Sequence, residues 1–150
     1  MTVSRLVITS DSAELALVRS WLRERLGEQG FSVEEQSRLQ IAVTELAANA
    51  IEHSYESMAG QPIYITIEPS DDRVVIQIED LGTPFDPARY RAPDLEVPAE
   101  GGLGLYIAGR LADELSVDLA RDHGTRWTLV KYRKHREGYR SPEGQRWTSK

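Results

Sequence analysis

The sequence predicts an α+β domain, a two-layer sandwich with helices stacked on one face of a mixed, mostly antiparallel sheet. Three observations carry this. Ile63, Ile65 and Ile67 alternate with Tyr64, Thr66 and Glu68, and Val74, Ile76 and Ile78 alternate in the same way beyond the Ser70-Asp71-Asp72 turn. That period of two marks a hairpin with one buried face. Leu39, Ala42, Val43, Leu46, Ala47 and Ala50 recur at helical spacing and must point into a core. Strands that meet at hairpins, with helices inserted between them, pack as one helical layer on one sheet.

Taken in order, Val3 to Ile8 is rich in β-formers and reads as a first strand; Asp11 with Glu14 then forms a capping-box-like pair. Leu15, Val18, Leu22 and Leu26 mark a helix bounded by Gly27 and Gly30. Ser32 with Glu35 opens a second, longer helix, expected to end between Tyr55 and Gly60. After the hairpin, Pro84, Pro87, Pro93 and Pro98 interrupt any regular element from Gly82 to Gly101, and a loop of that length is expected to be a functional lid or disordered. Gly102-Leu103-Gly104-Leu105 leads into a helix marked by Tyr106, Ile107, Leu111 and Leu115, and strands follow at Ser116 to Ala120 and Thr125 to Tyr132 around the Asp122-His123-Gly124 turn. Residues 1–132 thus read as one domain, and 133–150 as a basic tail expected to be mobile.

Composition narrows the chemistry. The 150 residues suit one domain with a real core, and 40% hydrophobic with 28% charged residues fits a soluble globular protein. No apolar run is long enough to span a membrane and no signal peptide is visible, so cytoplasmic residence is expected. The absence of cysteine removes disulfides, thiolate zinc sites and cysteine nucleophiles. The net charge is −6, yet the tail carries six Lys or Arg against two Glu, which leaves about −10 on the body. A body that acidic repels phosphate backbones, so direct nucleic-acid binding is not expected.

Three separated features need a joint explanation. At about 100° per residue, Glu45, Asn49, Glu52 and His53 fall in one arc of about a quarter turn beside the buried stripe of the long helix. Asp80-Leu81-Gly82 stands at a strand end, and a glycine run opens a later helix. Glycines before a helix let backbone N–H groups approach an anion, and the helix N-terminus adds about half a positive charge. Asn49 can offer a hard oxygen to Mg²⁺, a metal that keeps most of its waters and leans on substrate phosphates. Glu45, one turn earlier, can take a proton from an attacking hydroxyl or water. Asp80 can accept a hydrogen bond from an exocyclic amine such as that of adenine, and Gly82 lets a base lie against bare backbone. Taken singly, the glycines also fit a tight turn, Asp80 a turn former, Glu52 a solvated carboxylate and His53 a half-buried imidazole.

Together, Glu45-x-x-x-Asn49, Asp80-x-Gly82, Gly102-Leu103-Gly104-Leu105 and Gly124-Thr125 resemble the boxes of the GHKL ATP-binding superfamily. The strings TELAANAIEHSY, EDLGTPFDP and EGGLGLYIAGRLADELSV are most similar to its anti-sigma factor serine/threonine kinases. The resemblance covers residues 5–132 and implies a Bergerat-type ATP site. It places Asn49 on Mg²⁺, Asp80 and Thr125 near adenine with Gly82, and Gly102, Leu103, Gly104 and Leu105 beside the phosphates. Glu45 would be the base, and the loop from Thr83 to Gly101 the ATP lid. The partners it implies are a sigma factor held inactive, an anti-anti-sigma (STAS-type) antagonist phosphorylated on Ser or Thr, and a second copy of the chain in a homodimer.

The chain departs from the family pattern in two places. Pro84 stands where many relatives carry a second glycine, and no Lys or Arg occurs from Ala92 to Gly104, so cationic help to the γ-phosphate falls to Arg89, Arg91, another residue or a partner. Three other readings compete with the kinase: a nucleotide-holding switch that sequesters without phosphotransfer, a histidine-kinase catalytic domain, and a plain ATPase. The chain has no room for a phosphoacceptor helix pair and no evident machinery to couple hydrolysis to movement.

Overall fold

A computed structural model of the chain describes residues 2–90, 103–119 and 122–133. Its strands are β1 (Ser4–Thr9), β2 (Pro62–Pro69), β3 (Arg73–Asp80), β4 (Glu114–Val117) and β5 (Thr125–Tyr132), and its α-helices are α1 (Leu15–Glu28), α2 (Val33–Asn49) and α3 (Gly104–Leu111). The sheet order is β1-β2-β3-β5-β4, and every described pairing is antiparallel, so none of the parallel pairs a mixed sheet would contain is present among them. The α+β sandwich is otherwise as expected.

The hairpin forms in the register that its alternation demands. Ile65 stands opposite Ile78 and Ile67 opposite Ile76, and all six alternating aliphatic residues of β2 and β3 are buried. They meet Leu22 and Leu26 of α1 and Leu39, Val43 and Leu46 of α2 in one core, each large side chain contributing about 1.5–3 kcal/mol by leaving water. Packed between α1 and α3, α2 is the central helix of the layer. Its start is capped at the expected residues: the Ser32 hydroxyl accepts the Glu35 N–H at 3.1 Å and donates to the Glu35 carboxylate at 3.3 Å.

The structure corrects several boundaries. The Glu14 N–H returns to the Asp11 carbonyl at 2.9 Å but the Glu14 side chain does not; the carboxylate takes the Thr9 N–H at 3.2 Å and the Thr9 hydroxyl, while Asp11 caps a short 3₁₀ turn, Ser12–Glu14, that precedes α1. Gly27 lies inside α1, and the chain turns at Gly30, whose φ is +79°. The α geometry of α2 stops at Asn49 and gives way to one π turn, Ala50–Ser54. Leu115 belongs to β4 and not to the helix before it. Ala112 adopts extended backbone at the end of α3, and the Asp113 N–H bonds the Val130 carbonyl at 3.0 Å, so pairing with β5 begins sooner than the apolar spacing suggested. Ala120, expected to end that strand, lies outside the described residues, as do 91–101 of the expected lid and 134–150 of the tail. Arg133, assigned to that tail, is held by the body, donating to the Gln29 and Ser70 carbonyls at 2.6 and 3.0 Å.

Topology brings four chain segments to one end of the sandwich. Asp80 at the exit of β3 pairs with Thr125 at the entry of β5 and with Ile63 near the start of β2. The C-terminal end of α2 and the start of α3 lie above that end of the sheet, and between them opens a cleft of about 920 Å³.

Candidate functional site

Glu45, Asn49, Glu52 and His53 all line this cleft, facing Leu103, Gly104 and Leu105 across it. The helical arc expected from the sequence therefore exists, although the π turn at Ala50–Ser54 supplies its last part. A π turn advances less per residue than an α turn and is often found at functional sites. Here it keeps Glu52 and His53 on the cleft side. His53 is exposed, not half-buried. Thr83, Pro84, Phe85, Asp86, Arg89 and Tyr90, from the described part of the lid segment, form the remaining wall.

Glu45 and Gly104 meet directly. A Cβ built on Gly104 would lie 2.8 Å from the Glu45 Oε2, so the carboxylate occupies space that any side chain at the start of α3 would take. The N–H groups at a helix start point out along its axis, and glycine at position 104 adds no side chain over the head of α3.

Asp80, Gly82 and Thr125 are not among the residues lining the cleft; they adjoin its Thr83–Phe85 wall. Asp80 is 2% exposed and Thr125 1%. The Asp80 Oδ1 accepts the Gly82 N–H at 2.9 Å, and the Thr125 hydroxyl accepts the Phe85 N–H at 3.0 Å. A Cβ on Gly82 would fall 2.2 Å from the Ser54 carbonyl oxygen, and that same oxygen accepts the Thr83 N–H at 2.8 Å. The π turn is thereby fastened to the strand end. Gly124, with φ +77°, donates to the Gly82 carbonyl at 2.6 Å. Of the predicted site residues, Gly102 lies outside the described ones.

Sequence reasoning missed Tyr55 and Phe85. Tyr55 is buried, donating its phenol O–H to the Pro62 carbonyl at 2.7 Å and accepting the Leu81 N–H at 2.7 Å. Burial raises its pKa above the ordinary tyrosine value, with the Asp80 carboxylate and Tyr64 adding to the rise while the Leu81 N–H opposes it. Phe85 packs against Trp127 with ring centroids 4.9 Å apart. The only local signal for Tyr55 was an aromatic residue just past a helix end, and Phe85 stood between two prolines.

A family model described as the histidine kinase-like ATPase domain matches residues 8–131. The chain belongs to that family. This ATPase domain is similar along most of its length to serine-protein kinase RsbW of Staphylococcus epidermidis, 32% identical over 132 residues that cover 81% of each protein. It is also similar to the serine-protein kinase RsbW of Bacillus licheniformis, 29% identical over 126 residues covering 79% of this chain and 78% of that one. The fold is that of a crystal structure of RsbU and RsbW domains from Mycobacterium tuberculosis, with a TM-score of 0.64 at 22% identity, over 89% of this chain and 33% of the other. The ATPase domain therefore spans about a third of that longer chain. Among its described residues no helix is long and apolar enough to cross a membrane.

Proposed function

We propose that this ATPase domain is an ATP-dependent protein serine/threonine kinase that also acts as an anti-sigma factor, holding a sigma factor and phosphorylating a Ser or Thr of an anti-anti-sigma antagonist. The observation that carries the proposal is the position of Glu45: its carboxylate lies against Gly104 at the start of α3, one helical turn before Asn49, in a cleft large enough for a nucleotide. In this reading the Glu45 carboxylate accepts the proton of the substrate hydroxyl as that oxygen bonds to the γ-phosphorus. The bond between that phosphorus and the oxygen bridging to the β-phosphate then breaks, and ADP leaves. A positioned base of this kind contributes about 10²- to 10⁴-fold.

Other residues bind and orient. Asp80 accepts a hydrogen bond from the adenine amine, with Gly82 offering a flat backbone and Thr125 beside it. Gly102, Leu103, Gly104 and Leu105 present backbone to the phosphates at the head of α3. Mg²⁺, when bound, neutralises the charge of the phosphate oxygens. Among the described residues no group of three or more His, Asp or Glu is disposed to hold a metal, so the Asn49 amide oxygen would hold it together with phosphate oxygens and water. The carboxylates of Glu45, Glu52, Glu56 and Asp86 along the cleft fit a metal–nucleotide complex better than a bare polyanion. The protein is cytoplasmic in this reading and acts as a homodimer, with 1–132 as the catalytic domain and 133–150 as an appended tail.

One observation favours a second reading, sequestration without transfer. Among the described residues lining the cleft Arg89 is the one Lys or Arg, and it sits on the rim beside Asp86 at 3.7 Å. Incubation of the full chain with labelled ATP and antagonist proteins decides between the two. The kinase reading expects label on an antagonist Ser or Thr with wild-type protein and about 10²-fold less with Glu45→Gln. Partner binding without label in either form would establish the switch instead.

A further inference from the structure

The base-recognition corner has to keep a fixed relation to the helix that carries Glu45 and Asn49, yet these parts come from strands and helices far apart in the chain. One side chain joins them. Tyr55 follows directly on the π turn that ends α2, and its own N–H closes that turn on the Ala50 carbonyl at 2.9 Å. Its phenol reaches across to β2, donating to the Pro62 carbonyl, and to the end of β3, accepting the N–H of Leu81. Leu81 is the residue between Asp80 and Gly82. The ring edge also lies 2.9 Å from where a Gly82 Cβ would stand, so the ring packs beside Gly82, next but one after Asp80 along the strand end.

We infer that Tyr55 is the positioning residue of the nucleotide site: acting through the Leu81 N–H, its phenol sets where the Asp80 carboxylate stands relative to Glu45 and Asn49. The inference rests on the proposed role of Asp80 in reading adenine. Leu81 is 47% exposed and its packing contributes little to holding this peptide, so the Tyr55 hydroxyl is the side-chain restraint on it, beside the backbone bonds of Thr83 to Ser54 and of Gly124 to Gly82. A buried N–H that loses its acceptor pulls its peptide toward other acceptors or water. The Asp80 carboxylate, whose Oδ1 is tied to the Gly82 N–H, moves with it. A neutral phenol is required, since only it can donate to Pro62 while accepting from Leu81. Burial maintains that state by raising the Tyr55 pKa.

Tyr55→Phe keeps the ring against Gly82 and removes only the hydroxyl. Calorimetry with ADP and with GDP on the full chain is the test, with Asp80→Asn measured alongside. Tyr55→Phe should weaken ADP binding by about tenfold, the loss expected when a buried hydrogen bond is left unmade. It should also narrow the preference for ADP over GDP by a similar factor. A folded Tyr55→Phe protein with unchanged ADP affinity and unchanged base preference, whatever its melting temperature, overturns the inference. If Asp80→Asn also leaves ADP binding untouched, the adenine assignment itself has failed; if only Tyr55→Phe does, the positioning role alone has. Should Tyr55→Phe fail to fold, amide exchange of Leu81 in the wild-type protein takes its place. Slow exchange that slows further with ADP supports the restraint, and fast exchange in the ADP complex overturns it.

Discussion

Two glycine-bearing regions of the site meet their surroundings in different ways. In the closed corner around Asp80, a Cβ on Gly82 would strike the Ser54 carbonyl at 2.2 Å and one on Gly124 the Asp80 carbonyl at 2.1 Å, both backbone atoms of packed elements. At the open mouth, a Cβ on Gly104 would meet the flexible Glu45 side chain, first its Oε2 at 2.8 Å. Backbone inside a packed core cannot retreat, whereas a carboxylate can rotate away. The corner glycines are therefore requirements of folding, and the mouth glycine is a requirement of where one carboxylate stands. The recognition half of the cleft is built rigid and the reactive half is left adjustable.

The largest effect that can break this comparison is Gly82→Ala. Forcing a methyl against the Ser54 carbonyl should cost about 3 kcal/mol, the upper part of the range for overpacking, and a denaturant titration would read it as a shifted midpoint. A midpoint within experimental error of wild type would mean that the π turn yields and the corner is not rigid.

Glu45→Gln acts on the opposite side. Its phosphotransfer rate should fall by about 10²-fold, equivalent to about 2.7 kcal/mol of barrier, with the melting temperature and ADP affinity almost unchanged. Equal rates for wild type and variant in single-turnover assays would remove Glu45 from the chemistry.

Asp80→Asn should weaken ADP by roughly tenfold, because the amide offers the adenine amine a donor where an acceptor is needed. Calorimetry on the folded variant measures this, and an unchanged affinity would detach the closed corner from base recognition.

The smallest effect, and the one that most sharpens the contrast, is Gly104→Ala. Alanine at a helix start is tolerated or mildly stabilising, by about 0.5 kcal/mol, so melting should move little, unlike Gly82→Ala. Displacing the Glu45 carboxylate should still slow transfer several-fold, and the loss should not add to that of Glu45→Gln. Additive losses would show that Gly104 acts on the nucleotide without involving Glu45.

The sequence by itself determined those features set by local rules. The alternation at Ile63 to Ile67 and Val74 to Ile78 specified the hairpin and its buried face, because side chains alternate across a strand whatever lies beyond it. Ser32 with Glu35 located the start of α2, and the arc of Glu45, Asn49, Glu52 and His53 was legible from helical spacing and does line one cleft. Tertiary structure alone decided what depends on partners distant in the chain. Leu115 was assigned to a helix by its spacing, yet β5 recruited it into β4. The resemblance put Asp80 and Thr125 beside an adenine, but only packing decided that they also take the Gly82 and Phe85 N–H groups. Tyr55 had no periodic partner to mark it, since both of its hydrogen bonds go to backbone groups, 7 and 26 residues away. Such bonds arise only when strands and helices have already docked, because a buried N–H or carbonyl must find a partner there and takes whichever side chain the packing brings within reach.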